Sequence, residues 1–344
     1  MKRALSLACL LAAAASAGVP SSLRTARGDD KPAAAPAPAA SRTFAFTYKV
    51  TVPKPAAGAK HLDAWVPTPL EDDLQKVADL KVTATADGKD IPFEQTTEPQ
   101  YGNKMVHVGV ENPAADVVIT WTATITRAAD TGQGAGPMNP RYLEADNLVP
   151  LDGKAKELAK QLGVDAKDAD LAARAKKIYD EVLSTMQYSK DDKVAPGWGK
   201  GDFNRACDVG KGNCTDFHAK FIGIARAGGI PVRFTMGIPH STDAKGAPGG
   251  YHCWAHWHDG KTWHPVDISE AQKINAKDPA KAQWFFDHLD PDRLALSIGR
   301  DLTLAPKQAG KPLLFFAYPY VEVDGVEAKD PKAKDNRSFS FENK

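Results

Sequence analysis

Between residues 43 and 127, hydrophobic and polar residues alternate in short segments, which predicts β-strands. Pro, Gly and Asn residues interrupt the alternation, as is typical of a β-sandwich. The alternating segments are TFAFTYKVTV, LDAWVPTPL, LKVTATADGKDIPF, MVHVGV and VVITWTATITR. We therefore expect a β-sandwich-like domain over residues 43–128, followed by a boundary in the Gly- and Pro-rich residues 130–140.

Beyond residue 140 the apolar residues recur at steps of three and four, which places them on one face of a helix. One such set is Leu171, Ala175, Ile178 and Val182. It predicts a helix that ends near Met186. A β-domain followed by helices and further strands indicates the α+β fold class.

Another predicted helix begins with a cysteine. Its sequence is GNCTDFHAKFIGIARAGGIP, residues 212–231, and its apolar face consists of Cys214, Phe217, Phe221 and Ile224. The unpaired N–H groups and the dipole at a helix N-terminus favour a thiolate, and the same N–H groups can bind a developing oxyanion. Cys214 is therefore a candidate nucleophile.

The segment GYHCWAHWHDGKTWHPVD, residues 250–267, predicts a β-hairpin. Its Asp-Gly pair at 259–260 lies between two aromatic-rich alternating runs, the strongest short-range signal for a two-residue turn. Such a turn places His252 opposite Asp267 on one face of the hairpin. A histidine that faces a carboxylate on rigid strands is suited to act as a general base, because the carboxylate fixes the imidazole tautomer.

Composition and charge narrow the class of protein. The chain has 344 residues, of which 42% are hydrophobic and 25% charged, enough for a core and about two domains. A formal net charge of +1 and the lack of a basic aromatic cluster argue against a nucleic-acid partner. No phosphate-binding glycine loop, EF-hand spacing or other feature demands a cofactor or a metal.

The N-terminal sequence predicts export. MKRALSLACLLAAAASAG combines a basic start, an apolar run and a small-residue cleavage site, so residues 1–17 are predicted to be a signal peptide. Residues 18–42 are rich in Ala and Pro and are predicted to be a linker. No later segment is long and apolar enough for a transmembrane helix. We therefore expect an exported protein, either periplasmic or secreted.

Four short motifs, in this order, resemble those of the transglutaminase-like superfamily, whose members have a papain-like core. They are GNC at 212–214, GGIP at 228–231, HCW at 252–254 and WHPVD at 263–267. The resemblance implies Cys214 as nucleophile, His252 as base and Asp267 as the residue that orients the base. The resemblance is most specific over residues 170–270. The chain as a whole is similar to exported bacterial proteins that have a β-rich domain before this core.

With this resemblance, residues 141–344 are expected to form a transglutaminase-like domain in which the Cys214 helix packs on an antiparallel sheet. The strand-like C-terminal segments are expected to extend that sheet. Two differences from the family pattern are Cys253 after the histidine and His256 at a position that is often acidic.

Three cysteines remain after removal of the predicted signal peptide, and an odd number in an exported protein implies at least one free thiol or an intermolecular bridge. Cys253 alternates with His252 along the strand, so its side chain is expected to point away from the base. If a disulfide forms, we therefore expect it to join Cys207 and Cys253 and to leave Cys214 free.

These residues predict a cysteine enzyme that attacks an amide or acyl carbonyl of a peptide or protein and forms a thioacyl intermediate. Water as the acceptor would give a peptidase or amidase, and an amine acceptor would give a transglutaminase. Trp198 and Trp254 are predicted to contact the substrate.

Two alternatives use the same residues. One is a catalytically silent binding or scaffold protein that retains the fold. The other is a metal site formed by histidines of the predicted strand, but residues four apart on a strand are separated by roughly 13 Å, so His252 and His256 cannot chelate one ion. We therefore predict no metal site.

Overall fold

The computed structural model describes residues 40–132, 134, 136, 138–166, 170–329 and 336–344. The predicted signal peptide and almost all of the predicted linker lie outside these residues. Among the helices that the structure describes, none combines the length and apolar character needed to cross a bilayer.

The described residues form a mixed α and β structure. The strands are β1 (Ser41–Val52), β2 (His61–Pro67), β3 (Gln75–Ala86), β4 (Lys89–Asp90), β5 (Glu94–Thr97), β6 (Lys104–Glu111), β7 (Val117–Ala128), β8 (Gln187–Tyr188), β9 (Lys211–Gly212), β10 (Val232–Pro239), β11 (Lys245–Gly246), β12 (His252–His258), β13 (Trp263–Val266), β14 (Arg293–Ile298), β15 (Tyr320–Val323), β16 (Val326–Glu327) and β17 (Arg337–Asn343). The helices are α1 (Lys154–Gln161), α2 (Leu171–Thr185), α3 (Phe203–Val209), α4 (Cys214–Ala227), α5 (Ile268–Asn275) and α6 (Pro279–Trp284). The prediction of an α+β fold is confirmed.

Two antiparallel sheets share one hydrophobic core and form the predicted sandwich. One has the strand order β11-β17-β1-β7-β3-β4 and the other has the order β16-β15-β2-β6-β5. In β1 and β7 every second residue is buried, because alternate side chains of a strand point to opposite faces. The sheets are joined by the indole N–H of Trp121, which donates to the Pro67 carbonyl oxygen at 3.0 Å.

The C-terminal strands belong to this sandwich, so the prediction that they extend the sheet of the transglutaminase-like domain is wrong. β17 pairs with β1 and β15 pairs with β2. The reason is burial: Phe339 and Phe341 alternate with exposed serines, and their rings cover the sandwich core beside Phe46 and Tyr48. The sandwich is therefore built from both ends of the described chain.

The residues between these ends form a helical core against a separate sheet of order β13-β12-β10-β14. α4 is buried along nearly its whole length and packs against β10, β12 and the other helices. α2 ends at its C-cap residue Met186, where the periodicity predicts. The buried helix thus places its first residue, Cys214, against the start of β12.

Gly237 marks a close contact between strands of this sheet. β10 has a bulge at this position, and a Cβ here would overlap the Leu294 carbonyl oxygen and approach the Trp254 ring to 2.7 Å. We expect Gly237→Ala to destabilise the protein by about 1–3 kcal/mol, because backbone and indole must both shift. Gly109→Ala is the control, since a strand Cβ there meets its neighbours at an ordinary 3.6 Å. Urea unfolding of the two variants tests this, and equal midpoints would contradict it.

Candidate active site

Cys214 is held at the first position of α4 by a hydrogen-bonded cap. The Asn213 side chain accepts a hydrogen bond from the Thr215 backbone N–H at 3.0 Å, and the Asp216 carboxylate accepts one from the Asn213 N–H at 3.0 Å. This reciprocal capping box satisfies two of the N–H groups that a helix start leaves unpaired. Within the described part of the chain no acceptor is bonded to the backbone N–H of Cys214.

Asp216 also attaches the preceding glycine-rich loop to the helix. Its carboxylate accepts backbone N–H groups of Gly199 at 2.9 Å and Gly201 at 3.3 Å, and the Arg205 guanidinium lies 3.5 Å away. Burial raises the pKa of this carboxyl more than these donors lower it. The loop that carries Trp198 is therefore fixed beside the start of α4.

His252 and Asp267 form a buried hydrogen bond of 2.7 Å between Nε2 and a carboxylate oxygen. Asp267 lies just beyond β13 as the N-cap residue of α5, where it accepts the Glu270 N–H at 3.2 Å. The Arg293 guanidinium donates to the oxygen that faces His252 at 3.2 Å. Because Nε2 is bonded to Asp267, Nδ1 is the ring nitrogen left for the Cys214 thiol, and this thiol contributes to the raised pKa of His252.

The hairpin register differs from the predicted one. His258 pairs with Trp263, because Asp259 accepts N–H groups of Lys261 and Thr262 at 2.6 and 2.7 Å and closes a four-residue turn. The two-residue turn was therefore wrong. A shift by two positions keeps every side chain on the same face, so it still brings His252 to Asp267.

The charges of Asp267, His252 and Arg293 stabilise the ionised forms of one another. Burial alone would raise the pKa of Asp267, but the His252 ring and Arg293 hold it well below its ordinary value. Burial would lower the pKa of His252, whereas Asp267 and the Cys214 thiol raise it to about 10. His252 is therefore an imidazolium at neutral pH.

Cys214 is 2% exposed, and burial works against its ionisation. Hydrogen bonds from Cys253 and His252, together with the charge of His252, nevertheless hold the pKa of the Cys214 thiol well below its ordinary value. The arrangement favours a thiolate–imidazolium pair with a carboxylate behind the imidazolium.

The family model of the transglutaminase-like superfamily matches residues 156–268, a segment that contains Cys214, His252 and Asp267. This segment is a transglutaminase-like domain. An uncharacterized protein of Haemophilus influenzae is 27% identical over 84% of this chain and 88% of its own length.

Two solved structures match the chain to different degrees. A proposed cysteine protease from Cytophaga hutchinsonii has a TM-score of 0.53 and 14% identity, covering 88% of this chain and 98% of its own. The periplasmic domain of TgpA from Pseudomonas aeruginosa has a TM-score of 0.33 and 14% identity, covering 70% and 93%. The first of these likenesses supports the fold of the transglutaminase-like domain together with the sandwich.

The expected disulfide between Cys207 and Cys253 is absent, because all three described cysteines are free thiols. The side chain of Cys253 points toward α4, because its Sγ lies 3.6 Å from Nδ1 of His218, and the nearby Cys214 thiol contributes to its raised pKa. Cys207 is half-buried in another cavity, beside Lys154 and Lys220. Strand alternation does separate the side chains of His252 and Cys253, but α4 contacts both.

A cavity of about 750 Å³ opens beside His252, between the transglutaminase-like domain and strand β17 of the sandwich. Trp198, Asn213 and Tyr251 contribute to its wall, and a contact between Trp198 and a substrate stays a prediction. Trp254 is different: it is fully buried, and its ring lies 5.0 Å below the Arg293 guanidinium. The prediction that Trp254 contacts substrate is wrong, since its side chain faces the protein core.

His256 is a buried structural residue of the domain. Its Nε2 is bonded to Asp130 at 2.9 Å, and burial together with the charge of Arg233 lowers the pKa of His256 to about 4. Among the residues that the structure describes, no three His, Cys, Asp or Glu side chains are grouped so as to hold a metal ion.

Arg293 and the contact between Cys253 and Cys214 were missed in the sequence. Arg293 has no motif around it and reaches Asp267 from β14, more than twenty residues away in the chain. The position of Cys253 beside α4 could not be found from the strand pattern, because alternation along β12 separates its side chain from that of His252 and both faces of the strand are buried.

Proposed function

We propose that this protein is an exported cysteine enzyme that forms a thioacyl intermediate on Cys214 with an amide or acyl group of a peptide or protein. The proposal rests on the transglutaminase-like domain and on one observation above all. That observation is a buried thiol at a helix N-terminus whose pKa is lowered by a histidine, and the Nε2 of this histidine is bonded to a buried aspartate at 2.7 Å. Export is supported by the signal-peptide pattern of residues 1–17.

In the proposed mechanism the Cys214 thiolate attacks the carbonyl carbon, and the carbonyl oxygen becomes an oxyanion. The backbone N–H of Cys214 and the positive end of α4 are positioned to stabilise that charge. His252 then gives its proton to the departing nitrogen, the C–N bond breaks, and a thioester remains on Cys214.

The thioester is resolved by an acceptor. His252, now neutral, removes a proton from water or an amine as the acceptor attacks, and Cys214 leaves as the thiolate. Asp267 stabilises the imidazolium at both stages and keeps Nδ1 directed at the sulfur. Water gives hydrolysis and an amine gives transfer, and the same three residues serve both reactions.

The test is the rate at which iodoacetamide alkylates Cys214 between about pH 4 and about pH 9, with the adduct located by peptide mass spectrometry. We expect fast labelling already well below the ordinary thiol pKa of about 8.5, because the thiolate is populated there. In His252→Ala the labelling should require a pH near or above that value, because the imidazolium is lost.

His61→Ala is the matched control, because His61 lies on β2 of the sandwich and pairs with Asp63 and Glu111. It should label like the wild type. A wild-type protein that labels only near the ordinary thiol pKa would contradict the enzyme and support the silent binding protein instead.

A further inference from the structure

Cys253 brings a second sulfur next to the Cys214 thiol. Both thiols are buried where α4 packs on β12, and they are close enough that each shifts the pKa of the other. His218, one turn along α4, is 2.8 Å from the Cys214 carbonyl oxygen and 3.6 Å from the Cys253 sulfur through the same Nδ1 atom. Two reduced sulfurs are thus held together by the packing of one helix on one strand.

We propose that this pair is a redox modification site, in which a peroxide oxidises Cys214 and Cys253 resolves the product as a reversible Cys214–Cys253 disulfide. The oxidation is a different reaction from the acyl transfer, although it uses the same Cys214 sulfur. It also gives a role to Cys253, which the proposed mechanism does not use.

The first step is attack of the Cys214 thiolate on a peroxide oxygen. The O–O bond breaks, the sulfur becomes a sulfenic acid, and the peroxide leaves as an alcohol or water after taking up a proton. In the second step the Cys253 sulfur attacks the sulfenic sulfur, the S–O bond breaks, and the hydroxyl leaves as water with the Cys253 proton. The two thiols lose two electrons in total, and the peroxide gains them.

The two thiols differ in pKa, in the direction that oxidation of Cys214 before attack by Cys253 requires. Cys214 carries the thiolate, which is the nucleophilic form, whereas burial and the neighbouring Cys214 charge raise the pKa of Cys253 well above its ordinary value. Conversion of Cys214 to a sulfenic acid removes that charge. Ionisation of Cys253 then becomes easier at the moment when its thiolate is needed.

A disulfide needs Cβ atoms about 3.5–4.5 Å apart and sulfurs about 2.05 Å apart. His218 Nδ1 lies 2.8 Å from the Cys214 carbonyl oxygen and 3.6 Å from the Cys253 sulfur, so the Cys253 sulfur is located at the first turn of α4. The proposed disulfide therefore joins two residues of the same helix–strand contact. Cys207 lies in a different cavity and has no such partner among the described residues.

The disulfide can be detected directly in the wild-type protein. After treatment with hydrogen peroxide and then trypsin without reductant, we expect GNCTDFHAK, residues 212–220, to be linked to GAPGGYHCWAHWHDGK, residues 246–261. ACDVGK, residues 206–211, should remain unlinked. Iodoacetamide labelling of Cys214 should fall about tenfold or more and return after dithiothreitol, since a disulfide is reducible.

Cys253→Ala removes the resolving thiol and Cys207→Ala is the matched control. In Cys253→Ala the Cys214 sulfur should proceed to sulfinic and sulfonic acid, and dithiothreitol should not restore labelling. Cys207→Ala should behave like the wild type. If Cys253→Ala fails to fold, the peptide map of the oxidised wild-type protein still tests whether Cys214 and Cys253 are linked.

The proposal is overturned if peroxide leaves Cys214 in the wild type as an oxyacid without the linked peptide, or if the link joins Cys207. Neither result bears on the proposed function, which is judged by alkylation of the fully reduced protein. A slowly alkylated Cys214 would count against the enzyme, whereas a missing crosslink would count only against the redox site.

Discussion

Cys214→Ala should lower acylation of the protein by an activated ester about 10³-fold or more, because Cys214 is the one described cysteine whose thiol pKa is lowered, whereas those of Cys207 and Cys253 are raised. The measurement uses p-nitrophenyl acetate, whose nitrophenolate burst counts acyl groups transferred to the enzyme. In the wild type the acetyl group should be found on the peptide of residues 212–220. Alanine leaves the capping box intact, since Asn213 and Asp216 form it through other atoms.

Cys207→Ala is the control for this experiment, because it also removes one thiol but in a separate cavity. It should keep the full burst. Thermal unfolding of both variants shows that the fold is retained. A burst that survives in Cys214→Ala would place the nucleophile elsewhere and would end the proposed mechanism.

Asp267→Asn should lower the acylation rate by about 10²–10⁴-fold, the range seen when the orienting carboxylate of such a triad is replaced. An amide can present its NH₂ group to His252 Nε2 and so favour the wrong tautomer. It also cannot hold the imidazolium charge. The pH at which Cys214 becomes labelled should therefore rise toward the ordinary thiol pKa of about 8.5.

The same variant should lose stability in a way that depends on pH. The pKa of Asp267 is lowered by folding, so its contribution is present above about pH 4 and is lost as the pH falls. The pKa of His252 is raised to about 10, so the contribution of the pair is complete below the ordinary value of 6.5 and fades as the pH approaches 10. The difference in unfolding free energy between wild type and Asp267→Asn should be largest between about pH 4 and about pH 6.5. Its expected size there is about 3–5 kcal/mol, as for a broken buried ion pair.

Asp290→Asn distinguishes the effect of Arg293 on Asp267 from the effect of His252. The Asp290 carboxylate accepts a hydrogen bond from Nη2 of Arg293 at 3.0 Å. Asp290→Asn should lose part of the stability that Asp267→Asn loses, and the pH dependence of Cys214 labelling should stay unchanged. If Asp290→Asn shifts the profile as much as Asp267→Asn, the effect comes from Arg293 and not from the orientation of His252.

The sequence predicted the site better than it predicted the surroundings of the site. Cys214 could be found because a helix start and an apolar period are local properties of the chain. The contact between His252 and Asp267 survived an incorrect turn, because pairing errors of two positions do not change the face of a side chain. Predictions that depend on local sequence, or on which face of a strand a side chain occupies, therefore agree with the structure.

Contacts made across the chain were not predictable in the same way. The attachment of β17 to β1 joins residues almost three hundred positions apart, and its strand pattern would have suited either sheet. Trp254 resembled a substrate contact because it follows His252, yet the packing of Arg293 from β14 covers its ring. In both cases the decisive partner lies far away in sequence and has no motif of its own.

The return of the C-terminal strands to β1 and β2 has a consequence for how the chain is made. The first strands to leave the ribosome or an export channel cannot complete their sheets until residues 320–343 have followed. The sheet of the helical core ends with β14, so all of its strands precede residue 320. The last strands therefore complete the sandwich sheets, and they also complete the cavity beside His252, whose wall includes Ser338 and Phe339.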